Sequence, residues 1–164
     1  MLTITVDDSK VMAALAKLRS RASDMTPVMT DIGEELVSRI LDSFEREASP
    51  YGEKWAPLKP ATILGRERRF KTAAAKQAAI ANPRILQDTG TLRSSIEIQS
   101  VGNDHVNVWS RVEYAAVHQF GSTRKNIPAR EFFPMHDDST VDLPPEWKES
   151  ILNQIALHMK AWNA

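Results

Sequence analysis

An apolar stripe in the first third of the chain constrains it most. Met29, Ile32, Leu36, Ile40 and Phe44 recur every three or four residues, with polar residues between them. That is the period of one face of an α-helix. Thr26-Pro27 stands at its start, as a cap followed by a proline at the first helical position, where the missing N–H costs nothing. The spacing predicts a helix over about 27–47 that must bury one face. A single helix cannot bury its own stripe, so the rest of the chain has to supply the cover.

Residues 2–6, LTITV, alternate and are β-rich, which predicts a short strand. Asp7, Asp8 and Ser9 offer N-cap chemistry for a first helix over about 9–22. Ser49-Pro50-Tyr51-Gly52 reads as a turn. The following stretch, EKWAPLKPATI, reads as an ordered loop pinned by Trp55 and Leu58, with a short helix after Pro60. Asp88-Thr89-Gly90-Thr91 opens a turn or a single helical turn. Ile96 and Ile98 alternate with Glu97 and Gln99, and Val106 and Val108 alternate with Asn107 and Trp109. With Gly102-Asn103-Asp104 between them, these runs predict a hairpin over about 94–112. EYAAVHQFG reads as a short helix stopped by Gly121, and 127–134, IPAREFFP, as a further strand. A final helix over about 145–162 carries Trp147, Ile151, Ile155, Met159 and Trp162 on one stripe. The expected class is α+β: a small antiparallel sheet with a central hairpin, packed by long helices, in one domain spanning 1–164.

Composition narrows the functions open to such a chain. Its 164 residues hold 21 Lys plus Arg and 21 Asp plus Glu, for a formal net charge of zero. This excludes a strongly basic nucleic-acid coat and a polybasic membrane binder. There is no cysteine, so disulfides, a thiolate nucleophile and Cys-ligated metals are excluded. No run approaches the ~20 apolar residues needed to cross a bilayer. The first residues, MLTITVDD, lack the basic and apolar regions of a signal peptide, so the cytoplasm is the expected site of folding.

The charges are segregated. Arg66, Arg68, Arg69, Lys71, Lys76 and Arg84 face a single acid, Glu67, in the segment 66–84. Within it, TAAAKQAAIA is helix-prone but has little to bury. This predicts a basic surface helix, or a segment ordered by a partner. Glu131, Asp137, Asp138, Asp142 and Glu146 form the acidic counterpart. The basic run can be a solvated face, a protein contact or a phosphate contact. Phe70 alone gives too little aromatic interleaving for a stacking platform.

The four histidines, at 105, 118, 136 and 158, show no metal-ligand spacing. No nucleophile elbow, phosphate loop or dinucleotide fingerprint occurs, so no metal, cofactor or catalytic residue is expected. A small hydrolase around His118 remains a third reading, without an identifiable partner residue. His118 and Gln119 are expected instead to fix the loop 121–130 by side-chain to backbone bonds, while Tyr114, Val117 and Phe120 cover the hairpin. Phe132 and Phe133 are adjacent. Either one is core and the other faces outward beside Arg130 as an interface anchor, or both are buried.

Taken together, SPYGEKWAPLKPATI, ILQDTGTLRSSI, VEYAAVHQFG and IPAREFFP follow in an order that resembles the phage virion-morphogenesis family. These are tail-completion proteins of contractile-tailed phages and Mu-like and P2-like prophages. The similarity runs from about Ser49 to Pro134, and departs from the pattern in the Ala-rich stretch 71–82, which implies a variable basic insertion or a flexible segment over 64–84. The resemblance implies a non-enzymatic structural protein of the virion, made in the host cytoplasm. It implies action in tail completion and head–tail joining, at the neck or head-proximal tail end. The implied partners are a tail terminator, a head–tail connector or further copies of the chain, since related neck proteins often form six-fold rings. Membrane contact is not implied, and nucleic-acid binding through 66–84 is the alternative reading. The candidate interface residues are Arg66, Arg68, Arg69, Lys71, Arg124, Lys125, Arg130 and Phe132. The candidate structural motif comprises Trp55, Thr89, Gly90, Tyr114, His118, Gln119, Phe120 and Gly121.

Overall fold

The computed structural model describes residues 12–20 apart from 14 and 18, 24–137 and 140–160. The expected strand 2–6, the cap at Asp7–Ser9 and Trp162 lie outside the described residues. The described part of 12–20 is helical and exposed.

The expected long helix is present as α1, Thr26–Arg46. It ends where Glu47 takes a left-handed conformation, φ 50° and ψ 45°. After it come α2 (Pro60–Glu67), α3 (Ala73–Ala81) and the single turn α4 (Thr91–Ser94). Strands β1 (Ile96–Val101) and β2 (Val106–Ser110) follow, then α5 (Ala115–Phe120) and α6 (Pro145–Lys160). The class is the expected one, mixed helix and strand, with an antiparallel pair packed against helices.

The hairpin pairs Ile96 with Ser110 and Ile98 with Val108, then shifts register around Gln99 and closes with Val101 opposite Val106. Its apolar face meets α1 at Gly33. A Cβ there would stand 2.7 Å from Val106 Cγ2 and 2.8 Å from Ile98 Cδ1, so the missing side chain lets helix and hairpin approach. The core is built on Ile40, Phe44, Trp55, Ile85, Leu92, Ile96, Ala115, Phe132 and Trp147. Phe44 lies at its centre, with Trp55 edge-on at 5.5 Å and Phe132 at 5.3 Å.

Trp55 pins the 53–59 loop as expected, and its indole N–H donates to the Glu131 carbonyl at 2.8 Å. The turn 49–52 also forms, with Gly52 N–H donating to Ser49 O at 2.9 Å.

The expected strand over 127–134 is a correction. Among the described residues the sheet has only two strands, and 127–134 contributes one isolated bridge, Ser122 to Ile127. Pro128 and Pro134 cannot donate to a ladder, and a side chain satisfies the intervening backbone instead.

The last helix docks on α1. Trp147 is buried under the Arg39 guanidinium, 5.5 Å from the ring centroid. Glu35 of α1 accepts hydrogen bonds from Gln154 and Arg39. Burial opposes the Glu35 charge, but hydrogen bonds from Ser150, Arg39 and Gln154, with the Arg39 charge, outweigh it and lower its pKa below 4.5. The folded state therefore holds this proton more weakly than the unfolded chain. The resulting stabilisation is present above about pH 4.5 and is lost as pH falls through the folded value. Hydrogen exchange in α6 should accelerate in that acid window, and Glu35→Gln should remove the step. An unchanged acid step in Glu35→Gln would refute the assignment.

Candidate functional site

The site grows from α5. The helix is short, and its inward positions are Ala115 and Gln119, one turn apart. Tyr114 and Phe120 are 44% and 38% exposed, so neither is buried on the hairpin as the expected cover requires, while Val117 is half-buried. Ala115 joins the apolar core, while the polar Gln119 meets backbone groups of the neighbouring segment.

Gln119 is 2% exposed and makes four hydrogen bonds to that segment. Its Oε1 accepts from Phe132 N at 2.9 Å and Phe133 N at 3.0 Å. Its Nε2 donates to Phe133 O at 3.1 Å and Met135 O at 2.8 Å. One amide thus takes the place of a neighbouring strand. Gln119 therefore fixes 132–135, not the expected 121–130 loop. His118 contributes its carbonyl, which accepts from Arg130 N at 2.7 Å. Its ring Nδ1 is buried without a hydrogen-bond partner.

Gly121 ends the helix with φ 75° and ψ −178°, a region essentially closed to other residues. A Cβ there would meet Ala129 N at 2.8 Å and Ile127 O at 3.0 Å. Both are main-chain atoms that cannot rotate away. Gly121→Ala should cost about 2–4 kcal/mol by urea denaturation, adding the clash to the conformational strain. A change within experimental error would remove the requirement for glycine. Beyond it, 122–127 closes on itself through Ser122 N to Ile127 O at 2.8 Å and Ile127 N to Ser122 O at 2.9 Å. The tip presents Arg124 and Lys125 to solvent.

Against this frame the other candidates divide. Arg68 and Lys71 are exposed. Arg69 is exposed but ion-paired to Asp88. Thr89 bonds to Thr91 across their hydroxyls at 2.8 Å beside the left-handed Gly90. Three candidates for surface contact lie inside, and their placement is corrected. Arg66 is 8% exposed, donates to Arg84 O at 2.8 Å and lies 3.5 Å from Asp88. Arg130 is 6% exposed and donates to Ala56 O at 2.9 Å and Pro57 O at 3.1 Å. Phe132 has no exposure and sits against Phe44, while Phe133 is half-buried beside it.

Arg84 shows why part of the basic run is architectural. Its Nη2 donates to the carbonyls of Phe44 and Glu45, both at 3.1 Å, and its Nε to Glu47 Oε1 at 3.1 Å. A guanidinium on the last carbonyls of a helix also complements the helix dipole. Helix α3 forms with no buried residue, and Thr72 Oγ1 accepts from Ala75 N at its start.

Three clefts surround the clamp. One of about 480 Å³ lies between α2, the 86–92 turn, α5 and 126–130, and is lined by Lys59, Arg66, Arg69, Asp88, His118 and Arg130 among others. A second, of about 800 Å³, flanks the 121–129 loop. A third, of about 390 Å³, is apolar and runs between β2 and α5, past Trp109, Phe120 and Met135. Among the described residues no group of three or more metal-ligating side chains is placed to hold an ion. No helix among them is long and apolar enough to cross a membrane.

Gln119, Arg130, Gly121 and Trp55 thus tie short irregular segments to a two-stranded core and leave a charged loop outside. The family model for phage virion morphogenesis matches residues 6–159. The chain belongs to that family, and its role is structural, in assembly of the phage virion. It is also similar to an uncharacterized protein of Methanocaldococcus jannaschii, 34% identical over 115 residues, covering 70% of this chain and 80% of that protein. No solved structure matches the chain.

Proposed function

We propose that the chain acts in tail completion and head–tail joining, at the neck or head-proximal end of the tail, through protein–protein contacts. The observation that carries this reading is the 122–127 loop. Its backbone is closed on itself, and its ends are tied to the core through His118, Gly121 and Arg130. Its tip carries two exposed cations, Arg124 and Lys125, with no ion pair among the described residues. A preordered charged tip loses little conformational entropy on docking. A tail terminator, a head–tail connector or another copy of the chain in a ring are the partners this reading favours. The acidic stretch 131–146 offers complementary charge between copies.

The nucleic-acid reading draws less support. Arg66, Arg69 and Arg84 are engaged by Asp88, Glu45 and Glu47, so much of the basic run is neutralised internally. The deciding experiment is electron microscopy of lysates from a phage deleted for the gene. Filled heads beside unjoined tails are expected, with particles restored by added protein. Arg124→Ala with Lys125→Ala should lower the yield of particles without changing the melting temperature. Normal, infectious particles from the deletion would overturn the proposal.

A further inference from the structure

The cleft of about 480 Å³ beside α2 carries an unbalanced charge. Lys59, Arg66, Arg69 and Arg130 line it, against the single carboxylate of Asp88. That carboxylate is already engaged by Arg66 and Arg69. Arg130 has only main-chain carbonyls as partners, and no described carboxylate lies in ion-pair range of it. Arg66 and Arg130 are both buried. Burial, and then the Arg66 charge, lower the pKa of Arg130, so the two guanidiniums feel each other's charge. Buried charges ordinarily have a counter-charge, because desolvation is costly.

A third group points the same way. His118 lines the cleft, and its Nδ1 is buried with no partner. Burial, and then the Arg130 charge, lower its pKa, so the ring is neutral at neutral pH and can present an N–H. An anion bound in the cleft would set against Arg130 a counter-charge that no described side chain supplies.

We propose that this cleft is an oxyanion site, in which Arg66 and Arg130, with His118 beside them, hold a phosphate-type dianion. Four cations against one carboxylate favour two negative charges over one, and guanidinium geometry suits tetrahedral oxyanions.

The test is thermal melting of the full chain at about pH 8, where inorganic phosphate is a dianion. Phosphate is titrated in the millimolar range against sodium chloride of equal ionic strength. At ten times its dissociation constant, phosphate should raise the melting temperature by about 3–6 °C. Acetate at the same concentration should do less.

Phosphate also stabilises proteins by general exclusion from their surfaces. A variant separates the two effects. Thr62 lines the cleft one turn before Arg66 on the same face of α2. Thr62→Glu brings a carboxylate toward the site without removing any existing bond. It should raise the melting temperature in chloride and abolish the specific response to phosphate. Equal melting in phosphate and chloride would overturn the proposal. So would equal stabilisation by acetate, or a phosphate response that persists in Thr62→Glu.

Discussion

Gln119→Leu should cost about 3–6 kcal/mol, a large share of the stability of a domain this size. The substitution keeps most of the side-chain volume and removes four hydrogen bonds at once. Phe132 and Phe133 lose the acceptor for their N–H groups, and Phe133 and Met135 lose a donor to their carbonyls. Each buried backbone group left without a partner costs about 1–3 kcal/mol. A typical domain has only about 5–15 kcal/mol to lose. Gln119→Glu keeps an acceptor for Phe132 and Phe133, but its carboxylate would be buried against the Phe133 and Met135 carbonyls, so this variant should lose stability as pH rises and the group ionises. Urea denaturation of the three proteins measures the series. If leucine and glutamine were equally stable, the amide would not be holding the 132–135 segment.

Phe44→Ala should cost about 3–5 kcal/mol, the range for truncating a fully buried aromatic. Phe44 has no solvent exposure and touches both Trp55 and Phe132. Its loss opens a cavity where α1, the 53–59 loop and the 131–135 segment converge. Those last two segments lack a sheet to hold them, so the damage should spread. Protease cleavage near Trp55 and near Phe133 should rise together in the variant. A smaller loss with unchanged cleavage would mean that the segments are held by their hydrogen bonds alone.

The parts of this fold that were legible in the sequence are those with a period. The stripe from Ile32 to Phe44 announces α1, and the alternation from Ile96 to Val108 announces the hairpin. Thr89-Gly90-Thr91 and Ser49-Pro50-Tyr51-Gly52 are turns by residue type. What stayed hidden has no period. Arg66, Arg84 and Arg130 donate to main-chain carbonyls of residues distant in sequence, and no spacing encodes that. Three arginines therefore looked like surface charge while serving as internal props. Phe132 and Phe133 suggested a strand, although Pro128 and Pro134 on either side already argued against a ladder. A glutamine on the inner face of a short helix was the available signal for the clamp, since a buried amide must find partners. The oxyanion cleft depends on α2 meeting the 126–130 segment, which only the three-dimensional arrangement brings together.

The clamp at Gln119 and the backbone bond from Arg130 to His118 enclose eight residues, 122–129, between fixed ends. Because 126–128 also lines the cleft beside α2, only the exposed tip at 123–125 is interchangeable. Doubling its length would add only about 0.6 kcal/mol of closure entropy. If the tip docks as proposed, insertion and substitution there would change the partner while the glutamine, the glycine and the arginine at the hinge points kept the frame. A graft of the tip from one virion protein onto the frame of another would carry its docking preference with it.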